Sequence, residues 1–267
     1  MNRFLVFVAL FLSSAAAAQH SDLYIIPAAG HAPGAHGTSW RSDVVLHNVQ
    51  MVPITVEIAL VESGSAPSAP PVALHTIHLM PAETRTLSDI AGSLGRDVTG
   101  ALIVGAELPF ALTSRTWAER PAGRTIGQSV VPVAIAGSAD AAGTAGVLPS
   151  LTTNDQQRSN AGIFAVASHA PLVIELAMLS PSGAVIGAEL IVVDEPGFLH
   201  RQLSIPTSTA IVRILEGDGI VVPYASTIDN GSAEAFFVSG SAISVGGESS
   251  RAMLAKAVGG TPVMRHR

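Results

Sequence analysis

The apolar positions of this chain recur with a period of two. Ile54, Val56, Ile58 and Leu60 alternate with Thr55, Glu57, Ala59 and Val61, the pattern of a strand with one face buried. Residues 72–80 alternate in the same way, and shorter apolar runs stand at 43–48, 100–104 and 110–117. Breakers separate these runs: the Gly/Ser/Pro-rich stretch 64–71, Pro81 and Pro109. One helical turn is predicted in this half, over residues 87–94, with Ser88 or Asp89 as its cap. Strands divided by turns, without long helices between them, predict an all-β sandwich.

The second half repeats the order of the first. Arg41-Ser42-Asp43 aligns with Arg158-Ser159-Asn160, and VPITVEIA at 52–59 aligns with APLVIELA at 170–177. Further on, 79–87 matches 192–203, 100–104 matches 209–213, and 113–116 matches 224–227. The elements keep their order while the offset drifts between 109 and 118 residues, as expected of an internal duplication with loops of changing length. The division that follows is a first sandwich over 19–130, a linker over 131–156, a second sandwich over 157–245 and a flexible C-terminal tail over 246–267. Small residues dominate the linker.

Composition narrows the classes. Of 267 residues, 48% are hydrophobic and only 13% charged, and there is no cysteine. A disordered chain, a disulfide miniprotein, a thiolate metal site and a cysteine nucleophile are therefore excluded. Residues 1–18 read as a signal peptide: Arg3, an apolar stretch over 4–12, then Ala15 to Ala18 before the cleavage point. That stretch is too short to span a bilayer, which takes about 20 residues. The expected address is secreted or periplasmic, with no membrane span. Removing Arg3 leaves 13 basic residues against 20 acidic ones, a mature charge of −7. No basic run tracks phosphates, so no nucleic acid partner is expected.

Several short segments carry a family resemblance: residues 37–43 (GTSWRSD), Asn48, residues 114–117 (SRTW), Gly127-Gln128 and Arg158-Ser159-Asn160. In these the chain resembles exported bacterial proteins built from tandem immunoglobulin-like β-sandwich repeats, of no agreed function. The resemblance implies a fold of two tandem immunoglobulin-like domains and an extracytoplasmic address. The second copy departs from the pattern, because Ala225-Ser226-Thr227 lacks a counterpart of Arg115.

The candidate chemistry is sparse. Arg41 and Arg158, each opening a strand, are expected to clamp a loop through carbonyls, with Asp43 and Asn160 accepting turn amides. His31 and His36 share a loop, and His75 and His78 share a strand at a spacing that points them to opposite faces, poor for chelation. Asn154-Asp155 and Asp229-Asn230 are too isolated for a calcium loop. Neither Gly-x-Ser-x-Gly nor His-Glu-x-x-His occurs. No catalytic, cofactor-binding or metal-binding residue is assigned. The function expected is an exported, non-enzymatic structural or adhesive module that binds a protein or glycan. Two alternatives stand beside it: a secreted hydrolase with an interdomain site, and a glycan-binding module using Trp40 and Trp117.

Overall fold

The computed structural model describes residues 22–34, 37–119, 125–135, 146–232 and 234–259; the expected leader lies outside them. The all-β expectation holds: the described chain is nearly all antiparallel strand, with one short helix. The first half contains β1 Asp22–Pro33, β2 Ser39–His47, β3 Ile54–Glu62, β4 Val72–Leu79, β5 Thr84–Leu87, β6 Val98–Ala106, β7 Ala111–Glu119, β8 Thr125–Ser129 and β9 Val133–Ala134. One layer runs β4-β3-β6-β1, and the other is built on β2 between β5 and β7, with β8 outside β7. β1 belongs to both layers. Past a bulge between Ile26 and Ala29, its end turns so that Ala32 and Pro33 pair with Trp40 and Ser39. Ile54, Val56, Ile58 and Leu60 meet Val44, Leu46, Leu102 and Val104 between the layers, the face that the alternation marked.

The second half contains β10 Gly146–Leu148, β11 Gln157–Ala167, β12 Leu172–Leu179, β13 Val185–Val193, β14 Gly197–Ile205, β15 Thr209–Glu216, β16 Gly219–Asp229, β17 Ala235–Ser239, β18 Ile243–Val245 and the helix α1 Gly247–Gly259. Its layers run β10-β15-β12-β13 and β14-β11-β16-β17. β12 sits between β13 and β15 as β3 sits between β4 and β6, and β11 sits between β14 and β16 as β2 sits between β5 and β7. Ile163, Leu172, Ile174, Leu176, Ile191 and Val212 fill its interior.

A third core lies between the halves. Leu23, Ile25, Ala59, Val61, Ala101 and Ile103, on the outer face of β1, β3 and β6, pack against Phe164, Val166, Ile220 and Val222 of β11 and β16. Ala101 to Val104 and Phe164 to Ala167 are each wholly buried, because these strands are covered on both faces. Leu254 and Val258 of α1 close the seam. Within the stretch 246–267, residues 247–259 form the docked helix α1, its Arg251 guanidinium bonded to the carbonyl of Ile135. Leu254 and Val258 are buried in the seam, and Met253, Ala255 and Ala257 pack beside them. Within the expected linker, 136–145 lie outside the described residues, while β9 pairs with β1 and β10 with β15. The Pro-rich loop after β3 also crosses the seam, where the Phe198 amide donates to Pro67 O at 2.9 Å. Gly197 permits this approach, since a Cβ there would lie 1.8 Å from that oxygen.

Because this core draws on both halves, Phe164→Ala should cost about 3–5 kcal/mol and shift a single calorimetric transition for the whole molecule. Two transitions, with the first half unmoved, would contradict a shared core.

Candidate functional site

β2 and β7 run side by side, with Asp43 opposite Arg115 and Arg41 opposite Trp117. Ser42, Val44 and Leu46 point inward, so the pleat turns Arg41, Asp43, Arg115 and Trp117 to the outside. Asp43 is nevertheless 4% exposed. Its Oδ2 accepts Arg115 Nε at 2.9 Å, Arg115 Nη2 at 2.7 Å and Trp117 Nε1 at 3.0 Å; its Oδ1 accepts the backbone amide of Asp89 at 2.9 Å. Burial alone would raise the Asp43 carboxyl. The Asp89 amide, Arg115 and the indole together outweigh it and hold the group below its ordinary value.

Asp89 adopts a left-handed conformation (φ 47°) at the start of the 3-10 turn Ile90–Leu94. The predicted turn is present, but Asp89 makes no side-chain cap bond. Its carboxylate instead meets His31 Nδ1 at 2.9 and 3.0 Å. Arg41 reaches it only weakly, with Nε 4.0 Å away, and that Nε is buried without a hydrogen-bond acceptor. The guanidinium carbons of Arg41 and Arg115 lie 5.7 and 5.6 Å from the Trp117 ring centroid, within cation–π range. Arg115 remains 63% exposed. Next to it, a cavity of about 370 Å³ is lined by Arg115, Trp117, Thr125, Ile126, Gln128 and Ser129. Gly127 lies opposite Trp117, where a Cβ would be 2.8 Å from the Trp117 Cβ.

The second half keeps part of this arrangement. Ser42 Oγ is 3.1 Å from Thr116 Oγ1 and accepts the Gly30 amide at 2.9 Å; Ser159 Oγ is 2.8 Å from Thr227 Oγ1 and accepts the Thr152 amide at 2.8 Å. The charged cluster is not repeated. Asn160 faces Ser226 and Arg158 faces Ile228. Arg158 donates to Asn230 Oδ1, whose Nδ2 reaches the Asp155 carbonyl at 3.2 Å. Among the described residues, Arg158 thus holds a loop through a side-chain relay and not through carbonyls, and Arg41 stacks on Trp117 with no carbonyl bonded to it. Asn154 and Asp229 cap the turns that follow them.

Trp40 and Trp117 do not form one platform. Trp40 shares the inward parity of Ser42 and packs on Gly34, where a Cβ would sit 2.5 Å from the indole. His36 lies outside the described residues. His78 meets Thr55 Oγ1 at 3.0 Å, and burial lowers the pKa of His75. No group of three or more His, Asp or Glu that could hold a metal is present among the described residues.

One Ser–His pair spans the halves. His200 Nδ1 lies 2.5 Å from Ser63 Oγ, and its Nε2 lies 3.1 Å from the Pro27 carbonyl and 2.8 Å from Tyr224 Oη. His200 is 3% exposed and faces a carbonyl and a phenol where a triad would place a carboxylate. This network fastens the halves. Tyr224 fits because Gly162 opposite it has no side chain; a Cβ would lie 1.9 Å from the ring. His200 carries no local sequence signal, and the cap position of Asp89 does not reveal its bonds to His31 and Asp43, since these partners come from elements far away in the chain. The chain matches no family model and no curated protein sequence.

Two measurements follow from these environments. Asp43→Ala strands the Asp89 amide and the Arg115 guanidinium, so it should cost about 2–3 kcal/mol in chemical denaturation. Asn160→Ala at the corresponding place should cost under about 1 kcal/mol. Equal losses would mean that the cluster adds nothing beyond the frame. The second measurement concerns His200, whose imidazole is pushed by burial down to about 4 from an ordinary 6.5, against a weaker pull from the Pro27 carbonyl. Above pH 6.5 both folded and unfolded states are neutral and no stability is lost. As pH falls from 6.5 towards 4, the unfolded chain takes up a proton that the folded chain refuses, and stability drops by about 3 kcal/mol. His200→Gln should flatten thermal melts across that window. A wild type whose melting temperature is already flat there would place His200 in water.

Proposed function

We propose that the protein is an exported, non-enzymatic interaction module made of two duplicated immunoglobulin-like sandwiches, and that it binds a carboxylate-bearing glycan on the outer face of β2, β7 and β8. The observation that carries this reading is the asymmetry between the halves. Both keep the Ser–Thr hydroxyl pair and the same strand order, which supports duplication. Only the first half carries Asp43, Arg115 and Trp117, whose places hold Asn160, Ser226 and Ile228 in the second half, so the frame does not require them; Arg41 has its counterpart in Arg158. The pairing of β2 with β5 and of β3 with β6 follows the immunoglobulin plan. The first and last strands exchange places relative to that plan, because β1 pairs with β6 and β7 with β2.

The chemistry fits an acidic sugar. Asp43 uses Nε and Nη2 of Arg115 and fixes its plane, leaving the other edge to solvent. Arg41 adds a second guanidinium, and Thr125 and Ser129 line the adjoining cavity with hydroxyl groups. Forked donors suit carboxylates, while Trp117 supplies an aromatic flank of the kind that sugars stack on.

Titration of the chain lacking residues 1–18 with uronate oligosaccharides should change the fluorescence of Trp117 saturably, read in a Trp40→Phe background. Arg41→Ala should weaken binding at least about tenfold while moving the melting temperature little, because its exposed contacts contribute under about 1 kcal/mol each. Absent binding, or binding indifferent to Arg41 and Trp117, would overturn the reading.

A further inference from the structure

The four layers stack in the order β5-β2-β7-β8, β4-β3-β6-β1, β14-β11-β16-β17, β10-β15-β12-β13, with a core between each pair. The outer face of β4-β3-β6-β1 is closed by the neighbouring sheet. The corresponding sheet of the second half, β13-β12-β15-β10, is the last in the stack, and the same face is open. Ile174, Leu176, Ile191, Val193 and Val212 point into its own core, so the pleat turns the intervening residues out. Val147, Leu190 and Val192 are 50%, 58% and 53% exposed. Register places Val173 beside Val192, Ala177 beside Ala188 and Ile211, and Ile211 beside Val147. The result is an apolar sheet face broken by one ion pair, in which Arg213 Nε donates to Glu175 Oε2 at 2.7 Å, and at its edge by Glu216, which a bulge sets opposite Val173.

We propose that this face binds a second copy of the chain, sheet on sheet about a two-fold axis. A terminal layer in a stacked architecture is ordinarily polar on its free side, and the opposite terminal layer of this molecule obeys that rule with Arg41, Asp43 and Arg115. The apolar layer does not. Its counterpart in the first half is buried by a β-sheet of this same chain, so a sheet is the kind of surface that this face accepts. The sheet face that performs the covering, on β11 and β16, is already occupied within the chain. Its counterpart on β2 and β7 is charged, which blocks head-to-tail growth. Self-contact remains. An isologous contact also serves the ion pair, because the two-fold brings Arg213 of each copy towards the partner's Glu175.

Sedimentation of the chain lacking residues 1–18 should give twice the monomer mass at about 100 μM. Leu190→Glu places an unpaired charge in the contact without disturbing the fold of the monomer, so the dimer dissociation constant should rise at least about 30-fold with circular dichroism unchanged. Met51→Glu, on an exposed loop of the first half, should leave the dimer intact. A monomeric wild type at that concentration, or a dimer that survives both Leu190→Glu and Val192→Glu, would overturn the proposal. So would a dimer that Met51→Glu dissociates.

Discussion

A strand that is apolar on both faces cannot lie on the outside of a sandwich. β6, β11 and β16 are such strands, and covering their second faces fixes the rest of the molecule. Each half buries its own interior, and the faces left over, Ala101 and Ile103 on one side and Phe164 and Val166 on the other, have only each other to pack against. The Pro-rich loop can then reach Gly197, and Ser63 can meet His200. α1 gains a groove deep enough to bury Leu254 and Val258. Chains short of core are often stapled by disulfides. This one has no cysteine and instead joins two cores through a third.

The paired halves also act as a control within one molecule. In each, a serine on the second strand of the unit bonds a threonine on the neighbouring strand and accepts an amide from the chain that crosses between layers. That bond belongs to the frame. The Asp43 carboxylate, with four donors converging on it, does not, since Asn160 occupies its place opposite Ser226 and the sheet forms regardless. The distinction matters because a buried, fully bonded carboxylate can look structural in isolation. Here the loop that begins at Asp89 is tied down by it, yet the equivalent connection in the second half manages without.

The elements were legible wherever one face of a strand is wet. The first part of β3 alternates, with Ile54, Val56 and Ile58 buried and Thr55 and Glu57 half-buried, and Pro81 and Pro109 fall in the breaks between strands. Arg-Ser-Asp and Arg-Ser-Asn recur along the chain, and in each the serine, Ser42 or Ser159, meets a threonine of the neighbouring strand. What the sequence could not convey was which partner each outward side chain meets. Arg115 reads as one exposed residue of a strand until register sets it against Asp43. Trp40 and Trp117 read as a pair, although the pleat puts them on opposite faces. α1 shows only a weak pattern of its own, and the seam that stabilises it is assembled from β3 and β6 of the other half together with β11 and β16.

The stack has two unlike ends, and their difference gives the molecule a direction. At one end the outer sheet is closed by charge, with Arg115 and Trp117 held rigid by Asp43. At the other, Leu190 and Val192 lie on a sheet whose twin is buried. Joining two copies through the apolar end would place their Arg–Trp faces at opposite poles, eight sheets apart and pointing away from each other. Such spacing prevents both faces from gripping one short ligand. Under the two proposals taken together, the dimer bridges separate chains of a polymer, and the stacked sheets between its two faces set the distance.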